Sequence, residues 1–265
     1  MLNALIAILL DIHIGMAVGT IYLHRGIAHG SLIFHPKLEH VLRFMVWLNG
    51  WDWPNLQQSY AGQHRKHHLY SDSDKDPHSP HRFGLLGMFD FKHTDQSRPY
   101  YLTPEEIAFY APDVKTPDDW IQRKIYDGAR LRLALVDWNQ KFHWFDFNLS
   151  YIILFLIFWP FVGIKLAVFL VIFHHAILQR YLIPFFTNYL LHIGPFDYVK
   201  EHHGQDKSKI LFPIGILLAG EELHANHHTQ PWNPNLSRRW FEFDISWVYI
   251  RILMFFKLVK LPHDF

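Results

Sequence analysis

Not one cysteine occurs in the 265 residues, which excludes disulfides, thiolate nucleophiles and cysteine-ligated zinc or iron–sulfur sites. Charge is scarce too: Asp, Glu, Lys and Arg make up 18% of the chain, below the roughly 25% of an ordinary soluble domain. Neither sign dominates, with 25 basic against 24 acidic side chains, so the basic face that a nucleic-acid partner needs is missing. No internal repeat or low-complexity linker divides the chain, and residues 1–265 read as one domain. What is abundant is apolar and aromatic, 50% and 17% of residues, gathered in long blocks. The other excess is histidine, 21 residues. Any metal bound here must rest on nitrogen and oxygen.

The first apolar block runs from Leu2 to Leu23 ("LNALIAILLDIHIGMAVGTIYL"). At about 1.5 Å per residue it is long enough to span a bilayer core. No basic region precedes it, and "HRGIAH" stands where a signal peptide would have its small-residue cleavage site, so it reads as a span. Asp11 and His13 are costly in lipid and are expected to face other helices. Lys37 to Gly50 is amphipathic and short, which suits an interfacial or re-entrant helix. A second apolar stretch covers Phe142 to Val162 and a third Ile164 to Phe186, with a break at Pro160–Gly163 that predicts a helical hairpin. Near the C-terminus "WVYIRILMFFKLV" reads as a helix lying on the membrane surface.

The expected fold is therefore all-α, an integral membrane helical bundle. Its spanning helices are placed at about 2–23, 142–162 and 164–186, and a cytoplasmic helical cap at about 60–141 and 192–265. The side follows from charge: Lys and Arg crowd both cap segments, while the 160–163 turn carries none.

Four groups of histidines stand at the ends of these segments. "HRGIAH" carries His24 and His29, an i, i+5 pair about 140° apart on a regular helix. Both can reach one centre only if the helix loosens, which Gly26 and Gly30 permit. "HRKHH" puts His64, His67 and His68 on one helical face, and "HANHH" repeats that spacing with His224, His227 and His228. "NYLLH" adds Asn188 and His192, an i, i+4 pair. Nine imidazoles exceed the ligands of one transition metal and suit two, with a position left open. Imidazole suits iron, zinc, copper and nickel alike, so ligand type does not name the metal. A lone histidine is usually a satisfied polar residue. His202 and His203 read as solvated, His78 and His81 as supporting or surface residues, and His174–His175 as packing inside the last apolar helix.

"HRGIAH", "HRKHH" and "HANHH" resemble the three histidine boxes of membrane-bound fatty-acid desaturases, closest to the acyl-CoA Δ9 (stearoyl-CoA type) branch and its bacterial relatives. The flanks "YLHRGIAH", "GQHRKHHLYSDSDKDPHSP" and "GILLAGEELHANHHTQPWNPNLSRRWFEFD" agree, from about Tyr22 to the C-terminus. The resemblance implies a di-iron centre with His24, His29, His64, His67, His68, His192, His224, His227 and His228 as ligands. It makes Asn188 the holder of a metal-bound water. Asp76 and Glu221 are nominated to orient ligand N–H groups.

The implied reaction is O2-dependent insertion of a cis double bond into a saturated acyl chain, with acyl-CoA the expected thioester substrate. Two electrons come from a separate ferredoxin, rubredoxin or cytochrome b5-like donor with its reductase. Zinc could replace iron in a recombinant sample. A bent apolar tunnel would select one methylene, and Arg65, Lys66, Arg238 and Arg239 are nominated to hold a carrier phosphate. A bacterial inner membrane is the expected location, and family members of this branch often carry an extra helix before the first box. Two readings compete. The same scaffold could act as a hydroxylase or acetylenase, or on carrier-protein or lipid-linked chains. A membrane metal-binding or transport protein is the other, but transport predicts ionisable residues along the spans, whereas the organised histidines cluster at one face.

Overall fold

The computed structural model describes residues 2–51, 55–89, 102–126, 130–136, 142–199 and 202–262. Parts of the expected cap, at 90–101, 127–129 and 137–141, lie outside the described residues. Helix α1, Leu2–Val18, continues without a break into a π-wound stretch, Gly19–Ala28. Strand β1, Ile33–Phe34, leads to α2, Pro36–Leu48, which His35 caps by accepting the Lys37 amide. Helix α3, Leu56–Tyr70, is followed by α4, Pro80–Gly87, and α5, Pro104–Tyr110. A Thr103/Glu106 capping box starts α5.

Strands β2, Arg130–Val136, and β3, Phe142–Asn148, pair antiparallel from Arg130 opposite Asn148 to Val136 opposite Phe142. Helix α6, Ser150–Val162, turns at Gly163 (φ +79°) into α7, Ile164–Phe173. From there the helix runs on through π-wound stretches, His174–Leu182 and Phe185–Leu190, into α8, Leu191–Ile193. The C-terminal third holds β4, Ile214–Gly215, α9, His224–Thr229, β5, Phe243–Asp244, α10, Ile245–Phe255, and β6, Val259–Lys260. β4 runs parallel to β5, and β6 lies antiparallel to β1, so the end of the chain is stitched to its first third.

Among the described residues the protein is mostly helical, as expected, with three small two-stranded sheets added. Among the described residues one helix, Leu5–Ala28, is long and apolar enough to cross a membrane. Ser150–Val162 and Ile164–Gln179 are apolar but shorter. The expected helix over 142–162 is corrected at its start: it begins at Ser150, because Phe142–Asn148 is a strand. "FHWFDFN" is aromatic and suits a strand, and its partner "RLRLALV" has a period of two over its first half. The apolar run hid that boundary.

Packing places the first helix at the centre. Tyr22 and Leu23 meet Val46 and Trp47 of α2 and Leu56 of α3. On another side, Met16 and Ala17 meet Leu178 and Ile183 of the last apolar helix and Leu218–Ala219 before α9. Arg25 fixes this arrangement. It is 1% exposed and donates to Asp244 Oδ2 at 2.6 Å and Oδ1 at 3.2 Å, and to the carbonyl of Pro234 at 2.7 Å. Asp244 also accepts the amides of Leu236 and Trp247, the second as the cap of α10. Gly220 (φ +97°) sits against this pair; a Cβ there would lie 2.2 Å from Asp244 Oδ1. Removing one partner of a buried pair strands the other charge, at a cost of about 3–5 kcal/mol. Asp244→Ala is therefore expected to lower the denaturation midpoint of the purified protein far more than Asp118→Ala, whose carboxylate pairs with Arg123 in the open. Equal midpoints in the two variants would remove Arg25–Asp244 from this role.

Candidate metal centre

The site begins with helical winding. The His29 amide donates to the carbonyl of His24 at 3.1 Å, an i→i+5 bond that sets residues five apart one above the other. His24 and His29 thus share a face that a regular α-helix would deny them; their ring centroids lie 5.1 Å apart. Of the two nominated glycines, Gly30 takes φ +62°, whereas Gly26 makes room for a neighbour, since a Cβ there would meet the Phe34 ring at 2.3 Å. On α3 the i, i+4 pair His64 and His68 points one way and His67 another. On α9 the pair His224 and His228 points one way and His227 another.

These directions sort nine imidazoles into two groups. His24, His29, His64, His68 and His227 bring ligand nitrogens within 4.8 Å of one another, and so do His67, His192, His224 and His228. Each three-histidine helix gives two rings to one group and one to the other, in opposite senses. Asn188 lies on the wall of a cavity of about 460 Å³ that opens onto His24, His64, His67 and His224. The nine histidines expected as ligands are thus brought together, and Asn188 lines the cavity beside them.

Whether a metal fits can be judged from nitrogen spacing. Nε2 atoms face each other at 2.8 Å (His24 and His227; His29 and His64), 2.9 Å (His68 and His227) and 3.0 Å (His64 and His68). In the second group the separations are 3.0 Å (His224 and His228), 3.2 Å (His192 and His224) and 3.3 Å (His67 and His228). Lone pairs converging at such distances repel unless a cation lies among them. Two nitrogens bound at right angles, each about 2.1 Å from one ion, are roughly 3 Å apart. Both groups could hold a metal ion.

At four of the nine rings the opposite nitrogen explains why the lone pair is free. Nδ1 of His67 donates to Asp76 at 2.9 Å, Nδ1 of His24 to Glu221 at 2.9 Å, Nδ1 of His192 to Asp72 at 2.9 Å and Nδ1 of His228 to Asp206 at 3.0 Å. A proton held at Nδ1 leaves Nε2 as the ligand atom and fixes the ring's rotation. The carboxylates are themselves held. Asp76 accepts the amides of Asp72 and His78, Asp72 accepts Ser79 and the Lys207 amide, Asp206 accepts Ser71 and Ser208, and Glu221 accepts Thr20. Asp76 and Glu221 are the two that the sequence nominates; Asp72 and Asp206 emerge from the structure.

The other histidines divide. His78 stacks on His67 with centroids 4.2 Å apart and lines the cavity, and His81 reaches the carbonyl of His192. His203 is exposed, whereas His202 is half-buried between Asp197 and Asp206. His174 is fully buried on Asp11, and His175 lines the cavity. Of the basic residues nominated for a carrier phosphate, Arg65 is paired with Asp113, Lys66 with Glu106 and Arg239 with Glu242.

Electrostatics set the cage for metal. Burial, then the neighbouring imidazoles, push His29, His64, His68, His224 and His227 well below the ordinary histidine value of 6.5. His228 falls to about 4, burial outweighing Asp206. Burial would raise Asp72, Asp76 and Asp206, but hydrogen bonds and charge from His192, His67 and His228 hold all three below the usual carboxylate range. The sign of the pH effect follows. Imidazoles kept neutral in the fold take up protons when released, so the unfolded chain binds more protons below pH 6.5. Metal-free protein is expected to lose thermal stability steeply from about pH 6.5 downward. A stability curve flat to the carboxylate range would contradict this charge assignment.

Comparison with known proteins agrees with this geometry. The family profile described as fatty acid desaturase matches residues 2–253. The chain is similar to an sn-1 stearoyl-lipid 9-desaturase of Synechocystis, 27% identical over 261 residues, covering 95% of this chain and 69% of the relative. It is also similar to Delta-9 acyl-lipid desaturase 1 of Arabidopsis thaliana, 24% identical, covering 92% and 71%. An sn-2 palmitoyl-lipid 9-desaturase of Nostoc is 24% identical, covering 93% and 75%. The histidine boxes, the two imidazole groups and the profile match converge: the chain belongs to the fatty acid desaturase family and is an oxidoreductase.

Proposed function

We propose that this protein is an O2-dependent di-iron desaturase that inserts a cis double bond at the Δ9 position of a saturated acyl chain. The observation that carries the reading is the sorting of nine imidazoles into groups of five and four beside one cavity. His24, His29, His64, His68 and His227 would hold one iron; His67, His192, His224 and His228 would hold the other, and Asn188 would hold a water. When bound, the pair of irons supplies O2 reduction and hydrogen removal from two adjacent methylenes, with two electrons from an external ferredoxin, rubredoxin or cytochrome b5-like donor. The chain's own residues supply placement. Thr20, Tyr60 and Thr187 line the cavity beside the histidines, and Gly15, Met16, Gly19 and Ile183 carry its wall along the apolar helices. An acyl chain held there has its methylenes fixed against the centre, where positioning supplies much of the rate.

The three apolar helical segments form the membrane part in this reading, in one domain, with the histidine centre on the cytoplasmic side as the charge distribution favours. For the acyl carrier we favour a membrane lipid ester over acyl-CoA. Three of the four cations nominated for a CoA phosphate are already paired with carboxylates, and the relatives above are named for lipid-linked substrates.

Expression in cells lacking desaturases, followed by fatty-acid analysis, is expected to show a new cis monoene. Hydroxylated or acetylenic acids in its place would overturn the reaction assigned. A pulse of labelled saturated acid is expected to give monoene in glycerolipid rather than in the acyl-CoA pool; the reverse would restore the thioester substrate. Purified active protein is expected to hold two metals per chain, and fewer would sink the dinuclear assignment. His67→Ala should abolish activity while His203→Ala, at an exposed position, should not.

A further inference from the structure

The cavity is not apolar throughout. Away from the histidines its wall includes Gln179 and His175, together with Gly15 and Gly50. Gln179 stands nine positions before Asn188 on the last apolar helix and Gly15 nine before His24 on the first, so this wall lies roughly 13 Å along the helices from the histidine centre. The Gln179 amide nitrogen lies 3.5 Å from His174 Nε2, and His174 Nδ1 donates to Asp11 at 2.6 Å. Asp11, His174 and Gln179 thus form a relay that ends at the cavity. His175 stacks its ring 3.8 Å from that of Tyr151, and its Nε2 has no hydrogen-bond partner among the described residues. The approach is kept open by glycine. A Cβ on Gly19 would meet nothing within 4 Å, whereas one on Gly50 would lie 2.9 Å from His175 Nδ1 and one on Gly15 3.6 Å from Gln179 Nε2.

We infer that Gln179 and His175 form a polar stop that limits how far the methyl end of an acyl chain can reach, and so set the upper chain length this enzyme accepts. The inference rests on the desaturase reading above and adds to it the residues that select among substrates. The physical reason is the cost of stripping polar groups. A polar cavity wall is satisfied by water, and an alkyl end pushed against it would displace that water and offer no hydrogen bond in return. Chains ending short of Gln179 leave the water in place.

The test replaces the amide with apolar groups of similar reach. Wild type, Gln179→Leu, Gln179→Met and Gln179→Glu are expressed in cells supplied with saturated acids of graded length, and the monoenes are profiled. The Leu and Met variants are expected to raise the ratio of long to short monoenes by about tenfold, the factor a single stripped hydrogen bond represents. Gln179→Glu, which keeps the wall polar, should retain the wild-type limit. Gly19→Leu, at a cavity-lining position where a Cβ would meet no atom within 4 Å, should move the limit toward shorter chains and reports on cavity length even if a Gln179 variant is unstable. An unchanged length profile in Leu and Met variants that still make monoene would overturn the polar stop. So would a wild-type preference for chains bearing a terminal hydroxyl, because the wall would then recognise oxygen instead of excluding carbon. Absence of any monoene from wild type would instead remove the desaturase reading.

Discussion

Nine imidazoles with converging lone pairs repel one another, and much of the protein's polar architecture exists to hold them in that position. A buried neutral imidazole can turn its ring or move its proton; either would close the ligand site. At four of the nine, His192, His67, His228 and His24, the carboxylates of Asp72, Asp76, Asp206 and Glu221 prevent both by holding a proton at Nδ1. Each carboxylate is buried and would be costly without partners. The hydroxyls of Ser71, Ser79, Ser208 and Thr20 and the amides of Asp72, His78 and Lys207 supply them. The segments around residues 71–79 and 206–208 are therefore shaped around the outer face of the cage, not merely connections between helices.

The second determinant is helical period. A single HxxHH helix cannot aim three rings at one point: on their shared face positions i and i+4 lie about 40° apart, but i+3 and i+4 lie about 100° apart. Two such helices, α3 and α9, solve this by facing each other, each giving its pair to one group and its odd ring to the other. The remaining places are filled from ends of helices where the winding has changed. The i→i+5 bond between His29 and His24 aligns that pair, and His192 follows the π-wound Phe185–Leu190 stretch. Such windings recur at functional sites because they re-aim a side chain without breaking the helix.

Residue order carried most of the cage and little of its support. His64, His67, His68, His224, His227 and His228 are legible because the spacing is local and repeated. The pairing of His24 with His29 needed a loosened helix, which the glycines suggested and the π-winding supplied. Asp76 was within reach, nine residues from His67 in a run of acidic residues. Asp72 and Asp206 were not, because each acts on a ring over 20 positions away in sequence or more, His192 and His228, and nothing local distinguishes them from solvated acids. The β2–β3 hairpin went unread for another reason. A strand rich in aromatics that runs directly into an apolar helix forms one continuous apolar block, and periodicity cannot divide it.

Asp11 and His174 show how the same economy reaches into the apolar helices. Helix α2 ends beside α1 and the last apolar helix, where its final carbonyls are remote from bulk water, a placement tolerated only when protein groups satisfy them. Gly50, at φ +87°, turns the chain so that the amides of Asn49, Gly50 and Trp51 return to the carbonyls of Met45, Trp47 and Val46. The carbonyl of Asn49 remains, and His174 Nε2 lies 3.3 Å from it. The same imidazole meets the Asp11 carboxylate through Nδ1 at 2.6 Å, so His174 stands between the end of α2 and the polar group of the first apolar block. The acid that looked misplaced in the first apolar block thus closes the end of a helix that stops partway along its neighbours. The Gln179 amide beside the same imidazole then brings that polarity to the cavity wall.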